Sequence, residues 1–150
     1  MSESKIDLKR LFIGGRSGQG RVTGLTGRRL PGFTVAFFGE WSIGGDALHL
    51  DETLVYEGGR EIQRHWAVQF DADGGFVGYD SHQAARLRGR AMVGKARLIF
   101  DRPLGLTAGL GASRATIDLI EMPDDSLRLS GRRDILGLVT QRTEAMLRRV

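Results

Sequence analysis

The segment Asp46–Phe70 constrains the fold more than any other part of the chain, because its apolar side chains alternate along two runs joined by a glycine turn. Alternation with a period of two is typical of a strand with one buried face. The glycine-bearing turn Glu57-Gly58-Gly59 between the runs is typical of a hairpin. The segment therefore predicts two antiparallel strands. The inward columns are Leu48, Leu50, Glu52, Leu54 and Tyr56 on the first strand, and Arg60, Ile62, Arg64, Trp66, Val68 and Phe70 on the second.

Two charged residues, Glu52 and Arg64, interrupt these apolar columns. A three-residue turn pairs Tyr56 with Arg60, and the register then brings Glu52 directly opposite Arg64. Burying a charge is costly unless the charge is paired or used. The sequence therefore predicts a cross-strand ion pair with Cβ atoms roughly 5 Å apart, at an interior polar site.

The turns on either side extend this site to the neighbouring strands. A two-residue turn at Gly44-Gly45 places Phe37 opposite Glu52, and a five-residue turn pairs Phe70 with Phe76. Asp80 then faces Trp66, and His82 faces Arg64. The candidate ligand-binding residues are Phe37, Glu52, Tyr56, Arg64, Trp66, Asp80, His82 and Arg133, the last because it shares a face with Leu127 and Leu129.

The same rhythm of strand and glycine-bearing turn recurs along the chain and is typical of a meander barrel or a sandwich. A short helix is expected over Lys5–Phe12, as a lid or plug at one end. We expect a single all-β domain over 1–150 with eight or nine antiparallel strands, enough to close a barrel (about residues 18–149) around one small ligand. The predicted strands are Gly18–Gly27, Phe33–Ile43, Asp46–Tyr56, Arg60–Phe70, Phe76–Ala85, Arg88–Asp101, Ser113–Met122, Ser126–Arg133 and Thr140–Arg149.

Composition excludes several classes of chemistry. The chain has no cysteine, which removes disulfides, thiol nucleophiles and thiolate metal sites. Its first residues form no signal-like apolar run, and no segment reaches the roughly 18 apolar residues of a membrane span. We expect a cytoplasmic protein with no cofactor and no metal site.

Three functions are compatible with the polar interior. The first is a structural ion pair between Glu52 and Arg64. In the second, Arg64 binds the carboxylate or phosphate of a small amphipathic ligand. In the third, the barrel is an isomerase, cyclase or hydratase in which His82 moves a proton together with Glu52 or Asp80. No Gly-x-Ser-x-Gly motif and no metal-type histidine spacing supports catalysis. The run Gly14–Gly20 resembles a phosphate loop, but it lacks the Gly-Lys-Ser/Thr ending and is interpreted as a flexible segment before the first strand.

Basic residues cluster at Arg86, Arg88, Arg90 and Arg97. Their alternation favours the outer face of a strand, which could contact an anionic membrane surface. The segment does not favour nucleic acid as a partner, because Phe100 is the one aromatic residue in it. An exposed sheet edge or this arginine-rich strand leaves a homodimer open. A closed barrel acting through its basic face is therefore a further alternative.

An ordered set of short motifs runs through the first two thirds of the chain. The motifs are Arg29-Leu30, Phe33-Thr-Val35, Gly39-Glu-Trp41, Leu48-His-Leu-Asp-Glu52, Tyr56-Glu-Gly58, Arg64-His-Trp66, Gly75-Phe-Val-Gly78, Gly89 and Gly94-Lys-Ala96.

This ordered set resembles a bacterial domain of unknown function, family DUF3833. The resemblance implies a lipocalin-like (calycin-type) barrel with an interior Glu52 and Arg64, and a role near lipid or fatty-acid metabolism. Many relatives look like exported lipoproteins, whereas this chain shows no signal or lipid-accepting cysteine. Where relatives carry an aspartate before the long glycine-bearing strand, this sequence has His82.

Overall fold

The structure, a computed structural model, describes residues 4–80, 85–103, 112–135 and 138–150. Apart from one short helix, α1 (Leu8–Phe12), its regular elements are strands. Ten strands are present in this part of the chain, where eight or nine were predicted. They are β1 (Gly14–Gly24), β2 (Arg29–Trp41), β3 (Ala47–Tyr56), β4 (Glu61–Phe70), β5 (Gly75–Asp80), β6 (Ala85–Met92), β7 (Lys95–Pro103), β8 (Ala112–Glu121), β9 (Leu127–Ile135) and β10 (Leu138–Arg149).

The strands form a closed antiparallel barrel. Each strand pairs with its neighbours in sequence, and β1 pairs with β10 to complete the cylinder. Closure removes sheet edges, so every strand finds hydrogen-bonding partners on both sides. The predicted all-β meander barrel is confirmed. The free sheet edge considered as a route to a homodimer does not exist among the described strands.

The predicted register is also confirmed around the first two hairpins. Glu52 pairs with Arg64 and Phe37 pairs with Glu52. Trp66 pairs with Asp80, and two inward rungs further along the same ladder Phe70 pairs with Phe76. Turn length and side-chain parity determine this register, because a slip of one strand by one residue would turn its apolar column toward solvent. His82 lies outside the described residues.

Three predicted elements need correction. The single strand Arg88–Asp101 is two strands, β6 and β7, which turn at Val93 and at Gly94, whose φ is +73°. A glycine without a Cβ atom adopts this left-handed conformation without strain. The Gly14–Gly20 run is not a flexible lead-in, because it belongs to β1 and pairs with both β2 and β10.

The helix is shorter than predicted, since Lys5 instead forms a β-bridge with Val93 and Asp7 caps the helix N-terminus. Helix α1 covers one end of the barrel with its buried residues Leu11 and Phe12. The half of the barrel next to the helix is filled by a packed core. The core residues there include Phe37, Leu48, Leu50, Trp66, Val68, Phe76 and Ala91.

The carbonyl oxygen of Phe12 lies so close to β2 that a Cβ atom at Gly39 would come within 1.7 Å of it. The ring of Phe12 also packs edge-on against Phe76, with centroids 6.0 Å apart. The helix therefore sits directly on the sheet at this end of the barrel. This is the position that the sequence indicated for a lid or plug.

Candidate ligand-binding site

A cavity of about 410 Å³ occupies the half of the barrel opposite α1. Its walls come from the strand halves next to the turns at residues 25–28 and 57–60, and no residue of α1 contributes. The volume lies in the range of about 300–1,000 Å³ that small-ligand sites typically have. The apolar part of the wall consists of Val22, Leu30, Pro31, Phe33, Val35, Leu54, Phe100, Ala115, Ile117 and Leu129, and the remaining lining residues are Glu52, Tyr56, Arg64, Gly131, Arg132, Arg133, Gln141 and Thr143.

Small side chains explain why this half of the barrel is hollow. Ala115 and Gly131 stand on neighbouring strands at positions where a large residue would enter the lumen. In the other half, aromatic rings occupy the corresponding space. Phe70 and Phe76, for example, pack with ring centroids 5.3 Å apart. The boundary between packed core and cavity lies at the level of Glu52 and Arg64.

Glu52 and Arg64 form the predicted ion pair in the cavity wall. Nη1 of Arg64 donates to Oε1 of Glu52 over 3.1 Å, and the two side chains are 17% and 19% exposed. The Nε–H of Arg64 is buried and has no hydrogen-bond partner among the described residues. A buried donor without an acceptor is unfavourable. Arg64 thus lines the cavity and retains one unused donor, which is buried in the wall.

A second arginine reaches the cavity from the opposite side. Arg133 lies on β9, which is five strands away from the β4 strand of Arg64 in both directions around the barrel. Its side chain is exposed and has no ion pair among the described residues. The adjacent Arg132 also lines the cavity, with Nε 3.6 Å from Oδ2 of Asp134. Positive charge thus exceeds negative charge along the lining.

Tyr56 lies in the cavity wall next to the apolar residues. Its ring packs against Phe33 with centroids 5.9 Å apart, and the guanidinium carbon of Arg60 lies 5.9 Å from the ring centre. Such a cation–π contact fixes the ring in place. Four of the predicted ligand-binding residues that the structure describes thus line the cavity: Tyr56, Glu52, Arg64 and Arg133.

Three other predicted site residues lie elsewhere. Phe37 and Trp66 belong to the packed core, where Trp66 is only 2% exposed and packs against Phe100 with centroids 5.5 Å apart. Asp80 is completely buried and accepts a hydrogen bond from the main-chain N–H of His65 over 3.2 Å. These three side chains face inward, but they lie in the half of the barrel that core side chains fill. His82, the remaining member, lies outside the described residues.

The basic cluster divides into two groups. Arg86, Arg88 and Arg90 are exposed on the outer face of β6. Arg97 is bound to Asp118 through two hydrogen bonds, from Nε over 2.8 Å and from Nη2 over 3.1 Å. These bonds lower the pKa of Asp118 and raise the pKa of Arg97. Arg97 is therefore engaged within the barrel wall and is not part of a free basic surface.

A buried cation at the α1 end was not predicted. Arg16 is 2% exposed, and its Nη1 donates to the carbonyl oxygen of Asp125 over 2.8 Å. Burial is the main cause of the lowered pKa of Arg16. Its position on the inward face follows from the alternation Arg16, Gly18, Gly20 and Val22. That signal was available, but the glycine content of the segment obscured it.

Within the described ranges, no group of three or more histidine, aspartate or glutamate side chains is arranged to hold a metal ion. The described helix has five residues, and none of the helical structure is long and apolar enough to cross a bilayer.

The fold and the cavity define the chain as an antiparallel β-barrel with an internal cavity at one end. The family model for the protein of unknown function DUF3833 matches residues 1–97, and the chain belongs to this family. Comparison with curated proteins finds no match.

Solved structures give a likeness in fold. A protein of unknown function from the DUF3598 family of Nostoc punctiforme PCC 73102 is 12% identical, with a TM-score of 0.64 over 97% of this chain and 50% of that protein. A Nitrosomonas europaea protein provisionally assigned as AttH is 11% identical, with a TM-score of 0.31 over 98% of this chain and 55% of that protein. The chain thus spans about half the length of these structures, and the first supports the barrel fold alone.

Proposed function

We propose that this barrel binds a small amphipathic ligand, with an apolar tail in the cavity and an anionic head group at an arginine. The observation that carries the proposal is the cavity of about 410 Å³ that reaches Arg64, whose Nε–H has no partner among the described residues. Apolar walls with a few convergent polar groups are typical of small-molecule sites. A fatty-acid-like molecule has this combination of a long apolar part and one charge.

The charge of the lining favours an anionic head group. Glu52 leaves a donor of Arg64 unused, because its carboxylate engages Nη1 and not Nε. Arg133 adds a second positive charge from the opposite wall. A carboxylate or phosphate oxygen would accept a charge-assisted hydrogen bond from these donors, which is stronger than a neutral one. A cationic ligand would meet Glu52 alone.

The two alternatives have less support from the described residues. Of the carboxylates considered for catalysis, Glu52 lines the cavity, whereas Asp80 is buried in the core next to Trp66. A barrel that acts only through its outer face needs no internal space, yet half of this barrel is hollow. Binding in the lumen accounts for both the cavity and the polar residues at its inner end.

Titration with a fluorescent fatty-acid probe tests the proposal, with native mass spectrometry of the purified protein as a search for a bound ligand. Replacing Arg64 by Met removes the charge and the unpaired donor. We expect the probe affinity to fall at least about tenfold, because the loss of a hydrogen bond to a charged group has an effect of this size. Arg86→Met, on the outer face, is the matched control and should leave the affinity unchanged.

Arg64→Lys keeps the positive charge but loses the planar guanidinium, so an intermediate affinity is expected. Circular dichroism checks that each variant is folded. Equal probe affinities for the native protein, Arg64→Met and Arg86→Met would contradict the proposal. So would a failure of the native protein to bind any probe or to retain a ligand.

A further inference from the structure

We infer that the rim of the barrel beside β1 and β10 is a docking surface for an anionic lipid bilayer. This inference rests on the proposed function and deepens it, because it names a lipid surface as the source of the ligand. The docking rim is formed by described residues at the cavity end of the barrel. They are Arg21, Leu25, Arg28, Leu138 and Arg142.

Two leucines project from this rim. The last rung between β1 and β10 joins Gly24 to Gln141. Leu25 follows directly after it and is 62% exposed, and Leu138 precedes Gln141 by three residues and is 56% exposed. Both side chains therefore lie beyond the end of the β1–β10 ladder. Exposed apolar side chains at such tips are suited to insertion into the headgroup region of a bilayer.

Arg28 lies in the same turn as Leu25, and Arg21 and Arg142 lie four residues from Leu25 and Leu138 on β1 and β10. Arg21, Arg28 and Arg142 are exposed, and none of them has an ion pair within the described parts of the chain. The nearby acids are engaged elsewhere. Glu57 lies 3.5 Å from Arg29, and Glu144, opposite Arg21 in the ladder, accepts hydrogen bonds from Arg128 and Ser130. Each free arginine near an anionic membrane favours association.

The docking rim is continuous with the cavity. Leu30, whose side chain lines the cavity, lies two residues after Arg28, and Gln141, another lining residue, belongs to the last rung between β1 and β10. A lipid tail that enters at the turn of Leu25 and Arg28 therefore meets the apolar wall at Leu30. The positive lining at Arg133 on the neighbouring strand β9 extends the attraction for an anionic head group inward.

A bilayer fits this surface better than nucleic acid does. Single-stranded nucleic acid is bound by aromatic side chains that stack on bases, and the docking rim contains none. The exposed leucines are suited to contact with acyl chains, and the nearby arginines are suited to contact with the anionic headgroups above those chains. A protein partner or a second copy of the chain is an outcome that the experiment detects.

Sedimentation with vesicles tests the inference. The full chain is mixed with vesicles of phosphatidylcholine alone or with equimolar phosphatidylglycerol. We expect the native protein to bind the anionic vesicles and not the neutral ones. Arg28→Gln with Arg142→Gln should weaken vesicle binding about tenfold or more, since each arginine contributes several-fold. Arg86→Gln with Arg90→Gln removes the same charge from the outer face of β6 and should change binding less than threefold.

The apolar part of the docking rim is tested by Leu25→Asn, which should also weaken binding to the anionic vesicles. All docking-rim variants should keep the affinity for a soluble fatty-acid probe in the absence of vesicles. If the native protein binds the probe but no vesicles, the inference fails and the proposed function stands. If it binds anionic vesicles but no probe, the proposed function fails.

Two further results would overturn the inference. One is a larger loss of vesicle binding for the Arg86 and Arg90 pair than for the docking-rim pair. The other is concentration-dependent self-association of the native protein that the docking-rim variants abolish, without any vesicle binding. Analytical ultracentrifugation of the same samples measures this second result.

Discussion

Glu52 and Arg64 face each other on β3 and β4, with Oε1 3.1 Å from Nη1, at the level where the packed core ends and the cavity begins. Each side chain is about four-fifths buried, so the pair is shielded from solvent on most sides. Removing one residue of the pair leaves the other charge unpaired in a partly apolar environment. This destabilises the folded protein more than replacing both residues does. This relationship has consequences for both stability and binding.

A double-mutant cycle measures the coupling between the two residues. We expect Glu52→Gln and Arg64→Met each to lower the free energy of unfolding by about 1–3 kcal/mol, less than for a fully buried pair because both groups keep some contact with water. The double variant should lose about 0.5–3 kcal/mol less than the sum of the single losses. Urea unfolding of the four proteins gives these values, and strict additivity would show that the pair contributes no coupling.

Ala115 tests whether ligands enter the lumen. It lies on β8, on the opposite side of the barrel from the β3 strand of Glu52, and it lines the cavity. Ala115→Phe should fill part of the cavity and lower the affinity for a long-chain fatty-acid probe more than for a short-chain one. Ala67→Phe adds the same ring on the exposed face of β4 and should not change either affinity.

The measurement is probe titration with chains of two lengths, accompanied by thermal unfolding to show that both phenylalanine variants remain folded. Equal affinities for Ala115→Phe and Ala67→Phe at both chain lengths would place the ligand outside the lumen. This pair of variants leaves the arginines untouched. It therefore separates the location of the tail from the recognition of the head group.

Part of this arrangement was predictable from sequence. The pairing of Glu52 with Arg64 follows from side-chain parity and turn length, which are local properties. The turn at Gly94 was missed because it has only two residues, and because Met92, Gly94 and Ala96 continue a period-two pattern of small and apolar residues through it. The depth at which each inward residue lies depends on how side chains from distant strands fill the lumen. For this reason Trp66 and Asp80 were assigned to the site although they belong to the core.

Gly39 provides a test of the plug at the other end of the barrel. A Cβ atom there would lie 1.7 Å from the carbonyl oxygen of Phe12, so Gly39→Ala forces helix α1 away from the sheet. We expect a loss of about 1–3 kcal/mol in the free energy of unfolding, as is usual for overpacking. Gly24→Ala is the control, because its nearest neighbour would be at 3.6 Å, an ordinary contact.

Urea unfolding compares the two alanine variants, and limited proteolysis reports whether the N-terminal segment has become accessible. In Gly39→Ala, the protease should cut the N-terminal segment earlier than it cuts the barrel strands. Gly24→Ala should be cut like the native protein. Equal stability of the two variants would mean that the helix shifts at no cost and does not act as a plug.

Low pH should destabilise the protein by protonating Asp118, which weakens its hydrogen bonds with Arg97. The hydrogen bonds from Arg97 lower the pKa of Asp118 below its usual value of 3.8. A carboxyl group with a lower pKa in the folded state stabilises the protein above its unfolded pKa, and this stabilisation is lost as the pH falls through the folded pKa. Asp118→Asn should therefore lower the free energy of unfolding clearly at about pH 7 and progressively less below about pH 4.

Urea unfolding at several pH values measures this difference, with Asp73→Asn as the matched control on an exposed turn. The control should lower the free energy of unfolding only slightly at neutral pH. A penalty for Asp118→Asn that stays constant from neutral pH to below pH 4 would contradict the prediction, because the stabilisation would then not depend on ionisation of this carboxylate. Arg97→Met should reproduce the pH dependence of Asp118→Asn, since both changes break the same two hydrogen bonds across β7 and β8.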